Sequence, residues 1–335
     1  MNGDIEVGEG IIEYLNEIIS ELSPHRTVVI TDSKVHDLWL DDVLERIDAE
    51  VLVIPEGEEN KSLDHVKTIW NKLLEMDFTR KSLLIALGGG MITDVSAFIS
   101  STFKRGTKLG LIPTTLLAQV DAAIGGKTGI NFNGKNMIGT FYEPNFVLID
   151  PVFMDTLPEE EIKNGFGEIL KYALLSGDVY KKLREDDESI DVDLIKRCVE
   201  YKTDIVQEDL RESGLRRVLN LGHTVGHGIE KLSEYGVKHG EAVSIGLMVN
   251  SLIAQEVYGF DPSITRDLLE RYGLPHQHDL PPEAILDCMR DDKKNWFDET
   301  ILILPKKVGE VDIKEVSDEL IIRCLKETKE GEKDG

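Results

Sequence analysis

Between residues 27 and 150 the chain alternates short apolar runs, rich in Val, Ile and Leu, with longer helical patterns, and this alternation restricts the fold more than any other feature. The runs are Thr27–Asp32, Glu50–Pro55, Ser82–Leu87, Lys108–Pro113 and Phe146–Asp150. Strand signals separated by helix-length stretches imply βαβ units, so the fold class is α/β with a mostly parallel sheet covered by helices. After Pro151 the texture changes. Helical periodicity runs from Pro158 to about Arg290, with N-cap signals at Asp191 and Asp261. Two domains are therefore expected, 1–155 built on the sheet and 156–335 mainly helical. A last extended run, Thr300–Pro305, precedes one more helix and a charged tail, Glu327–Gly335, expected to be disordered.

A chain of 335 residues with 41% hydrophobic content has ample material for two cores. It has no apolar run of roughly 18 residues, and Met1-Asn-Gly-Asp-Ile-Glu6 lacks the basic and apolar regions of a signal peptide, so the expected location is the cytoplasm. Cys198, Cys288 and Cys324 form no CxxC pair and predict neither a disulfide framework nor a thiolate metal site. The formal net charge of −25 argues against nucleic acid and anionic membrane as partners. An anionic substrate must then be held by basic residues gathered against the global field.

Gly88-Gly-Gly90 follows a buried strand directly, with Asp94 on the first turn of the next helix pattern. Such glycines admit a pyrophosphate close to the backbone at a helix N-terminus, although a tight strand-to-helix turn needs the same residues. This is not the GxGxxG fingerprint. Pro113-Thr-Thr115 adds hydroxyls at the end of the next strand, where α/β sheets place ligands. The segment Asp121-Ala-Ala-Ile-Gly-Gly-Lys127-Thr-Gly-Ile-Asn131 and Gly134-Lys-Asn136 carry Lys127 and Lys135 among glycines, suited to anions or simply to loops.

His223 and His227 stand four apart at the start of a helix pattern, and His239 opens another. The cluster favours a metal or catalytic site over core packing, and spacing alone nominates His223 and His227 as a ligand pair. Glu168 and Lys171 share one helical face, as a structural ion pair also would.

These segments, with Leu219-Asn-Leu-Gly-His-Thr-Val-Gly-His227 and His239-Gly-Glu-Ala-Val-Ser-Ile-Gly246, resemble the 3-dehydroquinate synthases, members of the sugar phosphate cyclases, from about residue 27 to 305. The resemblance implies a Rossmann-like NAD domain, a helical domain, a site between them, and a homodimer. It places the metal, zinc or cobalt, on Glu168, His223 and His239, which moves His227 from the metal to the substrate. It places NAD on Asp32, Glu58, Lys61, Gly89, Gly90, Asp94, Thr114, Thr115, Leu117, Asp121, Lys135, Asn136, Phe153, Thr156, Leu157 and Glu161. Substrate would meet Lys127, Asn136, Lys171, Lys202, Arg216, Asn220, His227 and Lys293, with Arg105 reaching the phosphate pocket of the neighbouring subunit. The implied reaction converts 3-deoxy-D-arabino-heptulosonate 7-phosphate, a small anionic sugar phosphate, to 3-dehydroquinate and phosphate. NAD is used catalytically: oxidation of a ring alcohol acidifies the neighbouring C–H, phosphate leaves, and the hydride returns. The segment from Lys127 to Lys135 is one residue shorter than in many relatives, which reads as a trimmed loop. The alternatives are another cyclase, such as a 2-deoxy-scyllo-inosose or valiolone-forming synthase, and a metal-dependent alcohol or glycerol dehydrogenase.

Overall fold

The structure, a computed structural model, describes residues 3–185, 190–234, 236–291 and 299–330. The chain falls into two compact units, one running to Ile162 and including Asp191–Thr203, the other comprising Lys163–Ile190 and the chain from Asp204.

The first unit contains β1 (Asp4–Val7), α1 (Leu15–Leu22), β2 (Thr27–Asp32), α2 (Ser33–Leu44), β3 (Glu50–Ile54), α3 (Leu63–Glu75), β4 (Leu83–Gly88), α4 (Gly90–Thr102), β5 (Lys108–Pro113) and β6 (Phe146–Ile149). All pairings in the sheet, ordered β1-β6-β5-β4-β2-β3, are parallel. β2 and β4 are buried at every residue, as strands covered on both faces must be. β1 was not foreseen. Its alternation of exposed and half-buried residues over Asp-Ile-Glu-Val marks a short edge strand with no helix signal before it.

The core of this unit gathers Leu15 and Ile19 of α1, Leu40 and Val43 of α2, Leu83, Ile85 and Leu87 of β4, and Phe146 and Leu148 of β6. Buried Asp150 ties the N-terminal segment to it by accepting from the backbone N–H groups of Gly10 and Ile12, each at 3.2 Å. The chain leaves β2 for β3 on one side and resumes at β4 on the other, so strand order reverses between β2 and β4. The register pairs Thr31 with Leu87 and Gly88 with Pro113. Asp32, Gly88–Gly90 and Thr114–Thr115 thus gather at the carboxyl edge beside the reversal, where doubly wound sheets bind ligands.

The second unit continues α5 (Glu159–Leu175) and contains α6 (Gly177–Glu185), the end of α7 (Val192–Glu208), α8 (His223–Leu232), α9 (His239–Tyr258), α10 (Ser263–Arg271) and α11 (Pro282–Asp291). A hairpin of β7 (Glu299–Lys307) and β8 (Glu310–Ser317) and then α12 (Asp318–Glu327) complete it. The cap expected at Asp191 is present, its Oδ1 accepting from Leu194 N at 2.8 Å, whereas the N-cap of α10 is Pro262, and Asp261, one residue earlier, accepts from Ser263 N at 3.0 Å. β8 was missed, because charged residues break up its apolar positions Val311, Ile313 and Val316. Of the tail expected to be loose from Glu327, residues 331–335 lie outside the described residues, and the part up to Glu330 is held in place. Lys329 bridges to His278, whose carbonyl accepts from Glu330 N at 2.8 Å.

Glycine contacts set how closely the helices of this unit approach. A Cβ on Gly167 of α5 would lie 2.4 Å from Gly240 O of α9, and one on Gly240 would lie 2.0 Å from Asn164 O. Only residues without a Cβ allow this backbone contact, and Glu168 and His239 are the neighbours it brings together.

Candidate metal and nucleotide sites

In the first unit the turn after β4 has little room for side chains. A Cβ on Gly89 would lie 2.9 Å from the Thr115 methyl, and Thr114 N donates to Gly88 O at 3.0 Å. Gly89 is the N-cap of α4, so its neighbouring N–H groups open toward the carboxyl edge of the sheet. Thr115 Oγ1 accepts from Ala118 N at 3.2 Å, and Leu117 leads into a π turn, Ala118–Ala122, that carries Asp121. Asp32 caps α2, its Oδ1 accepting from Lys34 N and Val35 N at 2.9 Å each.

Beside this turn a chain of charge gathers on one buried lysine. Lys61, 3% exposed, donates from Nζ to Asp94 Oδ2 at 2.6 Å and to Asn136 Oδ1 at 2.5 Å, with Glu58 Oε1 at 3.8 Å. Burial raises the Asp94 pKa, though Lys61 draws it down. For Lys61 burial works against the charge, but Asp94 and Glu58 outweigh it and hold the ammonium above its ordinary pKa. Asn131, absent from the nominated residues, organises the loop. Its Nδ2 donates to Glu58 Oε1 at 3.0 Å, and its Oδ1 accepts from the N–H of Asn136, which has φ 55°. Lys202 of α7 donates to Asp121 O at 2.7 Å and pairs with Asp121 Oδ1 at 2.8 Å. The return of Asp191–Thr203 to the first unit is what makes that contact.

Phe153 and Thr156 meet through Trp39, which stacks edge-on to Phe153 at 5.0 Å and donates to Thr156 Oγ1 at 2.8 Å. Leu157 ends the turn containing them, and Glu161 lies in the first turns of α5. Lys127 is exposed and bridges to Phe141, while Lys135 lies in the loop before Asn136. Arg105 stands in the turn after α4 with φ 66° and meets none of these groups among the described residues.

In the second unit α5, α8 and α9 converge on one carboxylate. Glu168, fully buried, has Oε1 2.9 Å from His239 Nε2 and 3.2 Å from His223 Nε2. Lys171, 1% exposed, pairs with Glu168 Oε2. Burial opposes ionisation of Glu168, yet Lys171 and the two imidazoles outweigh it and hold the carboxyl well below its usual range. Burial pushes the His223 pKa down. It opposes charge on His239 too, but hydrogen bonds to Glu168 and Glu230 prevail and lift that ring to about 9.

Two imidazoles and a carboxylate whose donor atoms lie within 4.8 Å of one another suit a divalent ion. The spacings found are close to the edge of a tetrahedron with about 2.0–2.1 Å bonds, roughly 3.4 Å. The donor set therefore fits zinc or cobalt and leaves coordination positions open. A second group, His227, Glu230 and His239, satisfies the same distance criterion. His227 is exposed, with its ring 5.4 Å from that of His223, and is not among the groups facing Glu168. Glu230 was not nominated, although it shares the face of His223 and His227 at i+7, a spacing that could have revealed it.

Arg216 is 2% exposed and donates from Nη1 to Leu210 O at 2.9 Å. Asn220 Nδ2 donates to Glu212 Oε1 at 2.7 Å. Asp209 fixes the loop that carries Arg216, accepting from the N–H groups of Ser213 at 2.9 Å, Gly214 at 2.7 Å and Arg216 at 3.1 Å. Those bonds lower its pKa to about 2. A depressed carboxyl stabilises the fold above its unfolded pKa and loses that effect as pH falls through the folded value. The denaturant midpoint of Asp209→Asn should thus trail that of the native chain most above about pH 4, with the gap narrowing toward about pH 2. A pH-independent gap would contradict this. Lys293 lies outside the described residues. Cys198 and Cys324 are buried, and burial pushes the Cys324 thiol up to about 12, which leaves it unreactive.

Sheet and helical unit together define the class: this is the fold of the sugar phosphate cyclases. A 2-epi-5-epi-valiolone synthase from Streptomyces hygroscopicus subsp. jinggangensis 5008, solved with NAD+ and Zn2+ bound, superposes with TM-score 0.87 at 27% identity over 97% of this chain and 96% of that one. A 2-deoxy-scyllo-inosose synthase complexed with carbaglucose-6-phosphate, NAD+ and Co2+ gives 0.85 at 25% identity, with the same coverage. Within that class, models of the 3-dehydroquinate synthase N-terminal and C-terminal domains match residues 51–164 and 165–295. A 3-dehydroquinate synthase of Thermococcus kodakarensis is 53% identical over 96% of this chain and 94% of its own length. The chain belongs to the 3-dehydroquinate synthase family. Among the described residues no helix is long and apolar enough to cross a membrane.

Proposed function

We propose that the chain catalyses the family reaction, converting 3-deoxy-D-arabino-heptulosonate 7-phosphate to 3-dehydroquinate with release of phosphate and no net redox change. The observation that carries this reading is the convergence of His223 and His239 on buried Glu168 in a chain 53% identical to a 3-dehydroquinate synthase. Residues 1–155 form the nucleotide domain in this reading and 156–335 the metal and substrate domain. A zinc or cobalt ion held by Glu168, His223 and His239 would supply Lewis acidity toward adjacent hydroxyls, and NAD held along the carboxyl edge of the sheet would supply a hydride acceptor that is regenerated.

The chain's own groups do the rest. Lys61 and Asp94, locked together, fix the loop that carries Asn136, so this part of the nucleotide wall is already ordered. Lys127, Lys202, Arg216, Asn220 and Lys293 bind the carboxylate and phosphate, supplying the local positive field that a net charge of −25 otherwise denies. Arg105 completes the phosphate pocket of the neighbouring subunit in a homodimer. Lys171 and His227 hold and move protons at the ring carbons and hydroxyls. The enzyme acts in the cytoplasm on a free sugar phosphate.

A phosphate-release assay with the heptulosonate phosphate, NAD and zinc tests this. Release should stop with a chelator, return with added zinc or cobalt, and fall roughly 100-fold or more in Lys127→Ala. Release insensitive to both changes would defeat the reading.

A further inference from the structure

We propose that Glu230 is a positioning residue for the metal centre, holding the His239 ring through Nδ1 so that Nε2 is presented to the ion. The inference rests on the metal reading above and adds a group outside the three ligands. Glu230 projects from α8, is 3% exposed, and places Oε2 3.4 Å from His239 Nδ1. The other nitrogen of that ring lies 2.9 Å from Glu168 Oε1. His223 is arranged in parallel: its Nδ1 lies 3.2 Å from Leu221 O, while its Nε2 faces Glu168. Both imidazoles thus have Nδ1 engaged and Nε2 turned to the same carboxylate oxygen.

The two second contacts differ in charge. A backbone carbonyl fixes only the tautomer and the ring plane of His223. A carboxylate fixes those for His239 and also makes the imidazole a stronger donor to a cation. Glu230 thus places a second carboxylate behind the ring that faces Glu168. Glu230 also stands on the face of α8 that carries His223 and His227, so the helix sets ligand and support in a single register.

Metal affinity decides the matter. Zinc or cobalt would be titrated into apo-protein against a chromophoric chelator, with metal content per chain measured in parallel and the thermal midpoint of each apo-protein recorded. Native protein should bind one ion and His223→Ala should lose it, which establishes the metal reading independently. Glu230→Ala should bind one ion roughly 10- to 100-fold more weakly with its apo midpoint little changed. Glu230→Gln, which keeps an acceptor without the charge, should lie between, and the visible spectrum of the cobalt form should change in both.

Affinity within twofold of native in both variants would overturn the proposal. So would two ions per native chain falling to one in Glu230→Ala, because Glu230 would then be a ligand of a second ion with His227. Failure of the metal reading itself would appear as native protein that binds no ion.

Discussion

Glu168→Gln is expected to abolish metal binding and to reduce phosphate release at least roughly a thousandfold, as removal of several kcal/mol of Lewis-acid stabilisation requires. It should also destabilise the second unit. Lys171 is 1% exposed and paired with Glu168, so the substitution removes one partner of a buried ion pair at a cost of about 3–5 kcal/mol. The two effects separate in a double variant. Adding Lys171→Met removes the other half of the pair and should recover most of the lost stability, since a buried pair replaced by apolar groups is often neutral. Metal binding should stay absent. Recovery of metal binding in the double variant would show that Glu168 acts only as the partner of Lys171.

Gly240→Ala is expected to damage the same centre without touching a ligand. The new methyl would sit 2.0 Å from Asn164 O, and both atoms belong to backbone that cannot rotate away. Relief requires α9 to move off α5. That costs about 1–3 kcal/mol as overpacking, and it carries His239 away from Glu168. A displacement near 1 Å at such a centre costs roughly 100-fold in rate. Gly177→Ala is the control, because a Cβ there meets nothing within 4 Å. Calorimetry with phosphate-release kinetics on both variants checks this. Equal behaviour would remove the glycine contact from the account of how the site is built.

The parts of the fold legible in the sequence were those with strong one-dimensional signals. β2 and β4 read as strands because a strand covered on both faces must be apolar throughout, and α9 read as helix from its long uninterrupted pattern. β1 and β8 lacked such a signal. The first is a short edge strand and the second is half charged, so each gains its identity only from the partner it pairs with. Lys202 reaches Asp121 because Asp191–Thr203 folds back into the first unit, a tertiary fact with no trace in local periodicity.

The site divides similarly. Spacing along α8 could suggest that His223 and His227 act together, but of the two it is His223 that lies against Glu168, and α5 and α9 supply that carboxylate and its other imidazole. Asn131 and Glu230 were passed over because each works by holding another residue. A supporting role of that kind shows in hydrogen-bond geometry, not in residue type.

The most direct measurement counts turnovers per nicotinamide. Apo-protein with zinc, the heptulosonate phosphate and a limiting amount of NAD should release phosphate in large excess over the NAD supplied, yield 3-dehydroquinate in equal amount, and accumulate no NADH. Phosphate release capped at the amount of NAD, or NADH building up in step with product, would make the protein a dehydrogenase and contradict the account.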